Sequence, residues 1–378
     1  LGDAGVASIA KALKVNTTVR KLGIEGSNMT PEAGRALGEM LRHNTTITLL
    51  SLFHGNIGNS GALSIASGLL QNTTLEKIQI ENSCIGPTGV SALAKVIQNA
   101  THLDLSRNII GTKGAKAISK VIENSCKLKY LRIDHCNIDV LGVRDIAKAL
   151  SKNTNLEELS VAYAGIDDEG MCELARSVAK NKSLQVLTIT YNNISEIGKR
   201  AIIKACAESQ SLNHLFHEND PILNTCLKPH SVLFKSLKNN STLSTIDIGV
   251  NSLGDACASE LAKVLVDNTS LNVVYFGGEY LGDAGVASIA KALKVNTTVR
   301  KLGIEGSNMT PEAGRALGEM LRHNTTITLL SLFHGNIGNS GAQGIASGLS
   351  QNTTLEKIQI EDSCIGPTGV SALAKVIQ

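Results

Sequence analysis

Apolar residues along this chain follow two alternating spacings. One is a short run with every second position apolar, embedded in L-x-x-L-x-L-x-x-N-x-I. Its clearest copies are Leu184, Leu187, Ile189, Asn192 and Ile194, and then Leu243, Ile246, Ile248, Asn251 and Leu253. Apolar positions two apart share one face of an extended segment, so each copy predicts a short strand with one buried face. The second spacing is helical: Ala4, Ile9, Ala10 and Leu13, or Ala258, Leu261, Ala262, Val264 and Leu265. It predicts an amphipathic helix after each strand, and its many alanines allow that helix to lie close to its neighbours.

Punctuation between the two spacings sets the period. Asn-Thr-Thr begins at 16, 44, 72, 296, 324 and 352, with relatives at Asn153, Asn181, Asn240 and Asn268; most neighbouring intervals are 28 residues. A glycine before each helix, as at Gly111 in the Gly111, Gly114, Ala115, Ile118 stretch, permits a tight turn out of the strand. The asparagine at each helix end is expected to accept a left-handed backbone. Neither half of a unit can bury its apolar face alone, so the units are expected to stack.

This pattern resembles the leucine-rich-repeat superfamily, specifically its ribonuclease-inhibitor-like, helix-bearing subfamily. The resemblance runs through essentially the whole chain, in about thirteen units of 28 residues. It implies an α/β leucine-rich-repeat solenoid, residues 1–378 forming one horseshoe with parallel strands on the concave face and helices on the convex face. Strands about 4.8 Å apart, backed by helices that need about 8–10 Å, give a turn of roughly 20–25° per repeat, so thirteen repeats approach a closed ring. The cadence N-T-T-L…L-x-L…N-x-I-G-x-x-G-A is most similar to the repeats of nucleotide-binding leucine-rich-repeat immune receptors. That likeness implies a sensor or regulatory repeat domain. A regulator of a small GTPase or a nuclease (GTPase activator or inhibitor type) and a cytoskeletal or ciliary scaffold are the alternatives. The acidic tail of Ran GTPase activators and the cysteine richness of ribonuclease inhibitors are both missing.

The register has irregularities. Residues 281–378 repeat residues 1–98 with an offset of 280, differing at Leu63/Gln343, Ser64/Gly344, Leu70/Ser350 and Asn82/Asp362. A recent segmental duplication is expected to account for this, with selection for two equivalent binding ends as the alternative. The stretch from Gln98 to Leu103 reads as one residue short, and the stretch from Asn124 to Leu128 as one residue long. The unit at 210–240 carries three extra residues with Pro221 and Pro229, which predicts a loop and a kink. Both ends of the chain fall at helices without a polar cap, and there is no initiator Met. A fragment is expected, with end-to-end self-association open to it.

Composition removes several function classes. Thirty-six Lys and Arg nearly balance thirty-three Asp and Glu, with no block of like charge, so nucleic-acid or acidic-membrane binding has no footprint in the sequence. No apolar run is long enough to span a bilayer. Eight cysteines show no C-x-x-C pair and read as reduced thiols of a cytoplasmic protein. Glycosylation sequons at Asn16, Asn44, Asn72, Asn181, Asn193 and Asn268 mostly follow from the repeat itself. The recurrent Gly-x-x-Gly is a structural turn, and no phosphate loop or nucleophile motif is present, so no enzyme activity and no cofactor is expected. His214, His217, Glu218, Asp220, Cys226 and His230 are metal-ligand types whose spacing fits no zinc pattern, so no metal is expected.

Binding is therefore sought on the outward strand positions, which collect seven of the ten aromatic residues: Phe53, Tyr130, Tyr163, Tyr191, Phe216, Tyr275 and Phe333. Strands favour aromatics, but aromatic rings facing solvent on a rigid surface are typical anchors for a protein partner. The same positions carry His54, His102, His135, His214 and His334. The expected centre runs from Tyr130, Arg132, Asp134 and His135 through Glu158 and Tyr163 to Tyr191, His214, Phe216 and Glu218. Its mixed charges suit a protein ligand better than a nucleic acid.

Overall fold

Outside the 210–240 unit, each predicted unit becomes a short strand followed by a helix. The computed structural model describes residues 1–378 apart from 26–27, 217–233, 235–236, 249–253, 279, 306–308 and 378. It forms two compact units, Leu1–Ala205 and Cys206–Gln378.

In the first unit, strands β1 (Lys21–Glu25), β2 (Leu49–Phe53), β3 (Lys77–Glu81), β4 (His102–Asp104), β5 (Tyr130–Arg132), β6 (Glu158–Ser160) and β7 (Val186–Thr188) pair in parallel, each with the next. Helices α1 (Asp3–Leu13), α2 (Pro31–His43), α3 (Gly58–Leu69), α4 (Pro87–Ala94), α5 (Gly111–Asn124), α6 (Val140–Leu150), α7 (Asp168–Val178) and α8 (Glu196–Glu208) alternate with them. In the second unit, β8 (His214–Phe216), β9 (Thr245–Ile248), β10 (Val273–Gly277), β11 (Lys301–Glu305), β12 (Leu329–Phe333) and β13 (Lys357–Glu361) pair in the same way. They alternate with α9 (Asp255–Asp267), α10 (Asp283–Leu293), α11 (Pro311–His323), α12 (Gly338–Leu349) and α13 (Pro367–Ala374).

The core has the composition the periodicity requires. Leu50 and Leu52 of β2 and Ile78 and Ile80 of β3 are buried, while Ser51 and Gln79 between them face outward. From the helix side come residues such as Ala33, Leu37, Met40 and Leu41 of α2, one stripe at helical spacing. Where α2 meets α3 the backbones touch through glycine. A Cβ added at Gly38 would lie 2.1 Å from the Ser64 carbonyl oxygen, and one added at Gly68 would lie 2.0 Å from that of Gly38. Gly318 and Gly348 repeat this between α11 and α12. On a solvated helix, Gly→Ala stabilises by up to about 1 kcal/mol. Here the new methyl meets fixed backbone, and overpacking costs about 1–3 kcal/mol. Gly38→Ala is accordingly expected to lower the urea midpoint; a raised midpoint would refute the close approach.

The Asn-Thr-Thr asparagines are not left-handed, contrary to expectation. Asn44, Asn268 and Asn324 have φ of −76°, −74° and −79° with extended ψ. Their side chains act between units instead. The Asn44 amide nitrogen donates to the carbonyls of Leu13 (2.7 Å) and Asn16 (3.1 Å), and its Oδ1 accepts from the backbone of Thr46 (2.9 Å) and Ile47 (2.8 Å). One side chain thus satisfies a helix-end carbonyl of the preceding repeat and two turn N–H groups of its own. Asn181, Asn268, Asn296 and Asn324 repeat the clasp. Asn44, Asn181 and Asn268 are buried with the nitrogen occupied, which supports the structural reading of their sequons.

A second interlock caps helices. Asp3 accepts from Thr30 N and Oγ1, Asp168 from Ser195 N and Gly198 N, and Asp255 from Gly282 N and Gly285 N. An acid in the first turn of one helix therefore caps the next helix. The Thr30 hydroxyl and amide hold the Asp3 carboxyl below its ordinary value, as the Thr112 hydroxyl and then Gly142 N do for Asp139.

Strand register corrects two of the expected irregularities. Lys77 pairs with His102, a step of 25 residues, so that unit is three residues short rather than one. The following step, His102 to Tyr130, is an ordinary 28, so the extra residue expected at 124–128 is not there. The shortfall leaves α4 with eight residues, against 11 in α1 and 14 in α5. His214 pairs with Thr245, a step of 31. The loop and kink expected there lie outside the described residues.

Candidate protein-binding surface

In-register parallel strands place the same position of successive repeats about 4.8 Å apart. One such position, just after each strand, holds His54, Asn82, Arg107, His135, Tyr163 and Tyr191 in six consecutive repeats of the first unit. All six have a left-handed backbone, φ between 47° and 59°. The backbone N–H groups fix the row: Asn82 donates to the Ser106 carbonyl (3.0 Å), Arg107 to Asp134 (2.7 Å), His135 to Ala162 (2.8 Å) and Tyr163 to Thr190 (3.0 Å).

The side chains then meet one another. His135 stacks on Tyr163 at 4.2 Å and 11°, and Tyr163 on Tyr191 at 4.3 Å and 14°. The two tyrosines remain 43% and 42% exposed, so the stack presents ring surface to solvent. Further along the row, Asn82 meets the His54 ring, and Arg107 Nε lies 3.2 Å from Glu81. Burial, then the charge of Asp104, pushes the Glu81 carboxyl above its ordinary value.

A second ring pair occupies the strand starts. His102 and Tyr130 are register partners and stack at 4.1 Å and 21°. Burial, then the charge of Lys77, lowers the His102 pKa. The folded ring therefore binds a proton less tightly than the unfolded one. Its contribution to stability is neutral above the ordinary histidine pKa and becomes a penalty as pH falls below it. The His102 ring resonance in an NMR titration should have its midpoint below that of the same chain in urea; a midpoint at or above the unfolded value would contradict this.

The remaining expected residues divide by what they touch. Phe53 is half-buried and packs edge-on against His54 at 4.2 Å, and Phe333 and His334 occupy the equivalent places of the second unit. Arg132 is exposed with Nε 4.0 Å from Glu158. Asp134 is committed to the next repeat, accepting from Ser160 Oγ (2.6 Å) and Ala162 N (2.8 Å). Tyr275 lies over its strand partner Gly303, where an added Cβ would sit 2.1 Å from the ring, and so fills the space left by a glycine. His214 and Phe216 bound β8, with side chains outside those described; His217, Glu218, Asp220, Cys226 and His230 lie outside the described residues altogether. Tyr280, 67% exposed, was not anticipated because it sits outside the strand pattern.

Other chemistry is sparse. Among the described residues no cluster of three His, Cys, Asp or Glu is placed to hold a metal, and no helix is long and apolar enough to cross a membrane. Cys136 and Cys206 are buried thiols pushed up to about 12 by desolvation. Cys84, Cys126 and Cys364 are exposed and free.

The repeat geometry agrees with the comparisons. The Leucine Rich repeat family model matches residues 43–66, 71–94, 101–119, 124–147, 152–175, 323–346 and 351–374. Those segments match leucine-rich repeats, and the strand–helix alternation of a leucine-rich-repeat solenoid fold also runs through described residues outside them. Among solved structures it is similar to an internalin (inlF) from Listeria monocytogenes str. 4b F2365. That likeness has a TM-score of 0.51 and 16% identity, covering 99% of this chain and 92% of that one. The actin-binding site 2 of Leiomodin-1 also matches, at a TM-score of 0.33 and 19% identity, over 38% of this chain and 87% of that one. No curated protein matches.

Proposed function

We propose that the chain is a protein-binding scaffold whose outward strand face, centred on His135, Tyr163 and Tyr191, docks a protein partner. One observation carries this reading. A left-handed backbone favours glycine, and a bulky residue held there costs on the order of 1–3 kcal/mol. Three adjacent repeats nonetheless spend that position on stacked, half-exposed rings. Tyrosine supplies large rigid contact area with a polar tip, which suits an interface anchor. In the horseshoe expected from the repeats this face is the concave one, the surface solenoids commonly use for binding.

The cadence of the repeats supports a sensor or regulatory domain of an innate-immune-receptor-like protein. Free thiols and buried sequon asparagines support a cytoplasmic setting. Affinity capture from cytosol with the wild-type chain, beside Tyr163→Ala/Tyr191→Ala, tests the site. A partner held by the wild type should be lost from the double variant. Equal recovery by both would place the docking surface elsewhere.

A further inference from the structure

We propose that a cleft between α4 and α5 binds an acidic peptide segment carrying an apolar side chain. The cleft follows from the short repeat: with α4 cut to eight residues, its end no longer covers the 14-residue α5 beside it. The space left is about 840 Å³, within the range of ligand-sized pockets.

Its rim is basic. Lys95, Lys113, Lys116, Lys120 and Lys127 all line it, and all are exposed. Lys113, Lys116 and Lys120 share one face of α5 by helical spacing. In sequence these lysines form no run, and only the fold gathers them. No aspartate or glutamate lines the cleft, and among the described residues none of the five is ion-paired; Lys127 donates to Asn99 Oδ1 at 2.8 Å. Elsewhere Arg144 on α6, and Lys14, Lys152 and Lys294 just past helix ends, each reach a carboxylate of a neighbouring helix. Five like charges around one hollow repel one another, and an anionic ligand relieves that repulsion.

The floor is apolar, formed by Ala94, Ile97, Ala117 and Val121. A bare polyphosphate gains nothing from such a floor, whereas a leucine flanked by glutamates fills it. The cations are lysines, point charges without the planar fork that arginine offers to phosphate. No aromatic ring lines the cleft to stack a nucleic-acid base. Charge complementarity and the apolar floor together favour an acidic amphipathic peptide.

The test uses the full chain and a fluorescein-labelled synthetic helical peptide of Glu with one Leu per turn. Anisotropy should report binding that weakens as salt rises from about 50 to 300 mM. Lys113→Glu/Lys116→Glu/Lys120→Glu should weaken it at least about tenfold and gain binding to the Lys-for-Glu counterpart peptide. The neutral variant Lys113→Gln/Lys116→Gln/Lys120→Gln, at exposed positions, should fall between and covers any misfolding of the charge swap. Cys126 also lines the cleft, so the peptide should slow its alkylation while leaving that of Cys84 unchanged. Peptide binding that ignores both triple variants, or leaves Cys126 unprotected, overturns the proposal. So does binding of inositol hexakisphosphate or phosphatidylserine vesicles, but not the peptide, at these lysines. The Tyr163→Ala/Tyr191→Ala variant should bind the peptide normally, which separates this cleft from the strand face.

Discussion

Asn181→Ala should destabilise the first unit by about 3–5 kcal/mol, among the larger effects a single substitution can have. The side chain is 2% exposed and bonds to four backbone groups as well as to Ser183 Oγ. It donates to the carbonyls of Leu150 and Asn153, both at 2.8 Å, and accepts from Ser183 N at 2.8 Å and Leu184 N at 2.7 Å. Alanine leaves the Asn153 carbonyl and the Ser183 and Leu184 N–H groups without their side-chain partner, while the Leu150 carbonyl keeps the Asn153 N–H at 3.2 Å. Each buried orphan costs about 1–3 kcal/mol, less whatever water recovers at the more exposed Ser183. Because the bonds cross from one repeat to the next, the loss should appear as uncoupling. In hydrogen exchange, α6 and β7 should lose protection together while α1 and β1 keep theirs. Asn181→Asp keeps an acceptor but removes the donors and buries a charge, so it should be no better. A loss below about 0.5 kcal/mol, the level of an ordinary surface change, would mean that the clasp does not hold the repeats together.

The second large effect separates binding from folding. Tyr163→Gly/Tyr191→Gly removes both rings of the stack but supplies the residue best suited to φ of 49° and 57°. Backbone strain of about 1–3 kcal/mol per position is relieved, which offsets the loss of stacking worth about 0.5–1.5 kcal/mol per pair and of the rings' partial burial. Thermal stability should therefore change little. Affinity for a strand-face partner should fall by about three orders of magnitude, the effect of removing an anchor worth about 2 kcal/mol at each of the two sites. Stability and binding should thus part company. If the rings served only to hold the sheet together, the double variant would lose stability and keep its ligand.

The repeat was legible in the sequence because each unit obeys local rules. Leu187 and Ile189 alternate as a strand must, and Leu261, Ala262 and Leu265 fall on one helix face. What stayed hidden lies between units. The Asn181 clasp joins residues 28 and 31 apart, so the asparagine was read from its local setting, as a turn residue, and its conformation was misjudged. The Asp168 cap on the next helix was missed for the same reason. Around Gln98 the apolar pattern has no strong strand marker, and only the pairing of Lys77 with His102 places the shortfall at three residues. At the candidate surface, the ring positions at 135, 163 and 191 followed from the repeat register, and their mutual stacking follows from parallel strands. The commitment of Asp134 to Ser160 and of Tyr275 to Gly303 depends on neighbouring repeats, and no single unit records it.

We propose that the partner captured through the stacked rings docks on the strand face and not on the helix face behind it. A photo-crosslinking residue placed at Tyr191, with a matched one at Arg176 on exposed α7 of the adjoining repeat, tests this directly. Irradiation in the presence of the captured partner should give an adduct from position 191 and none from position 176. An adduct from 176 alone would contradict the account.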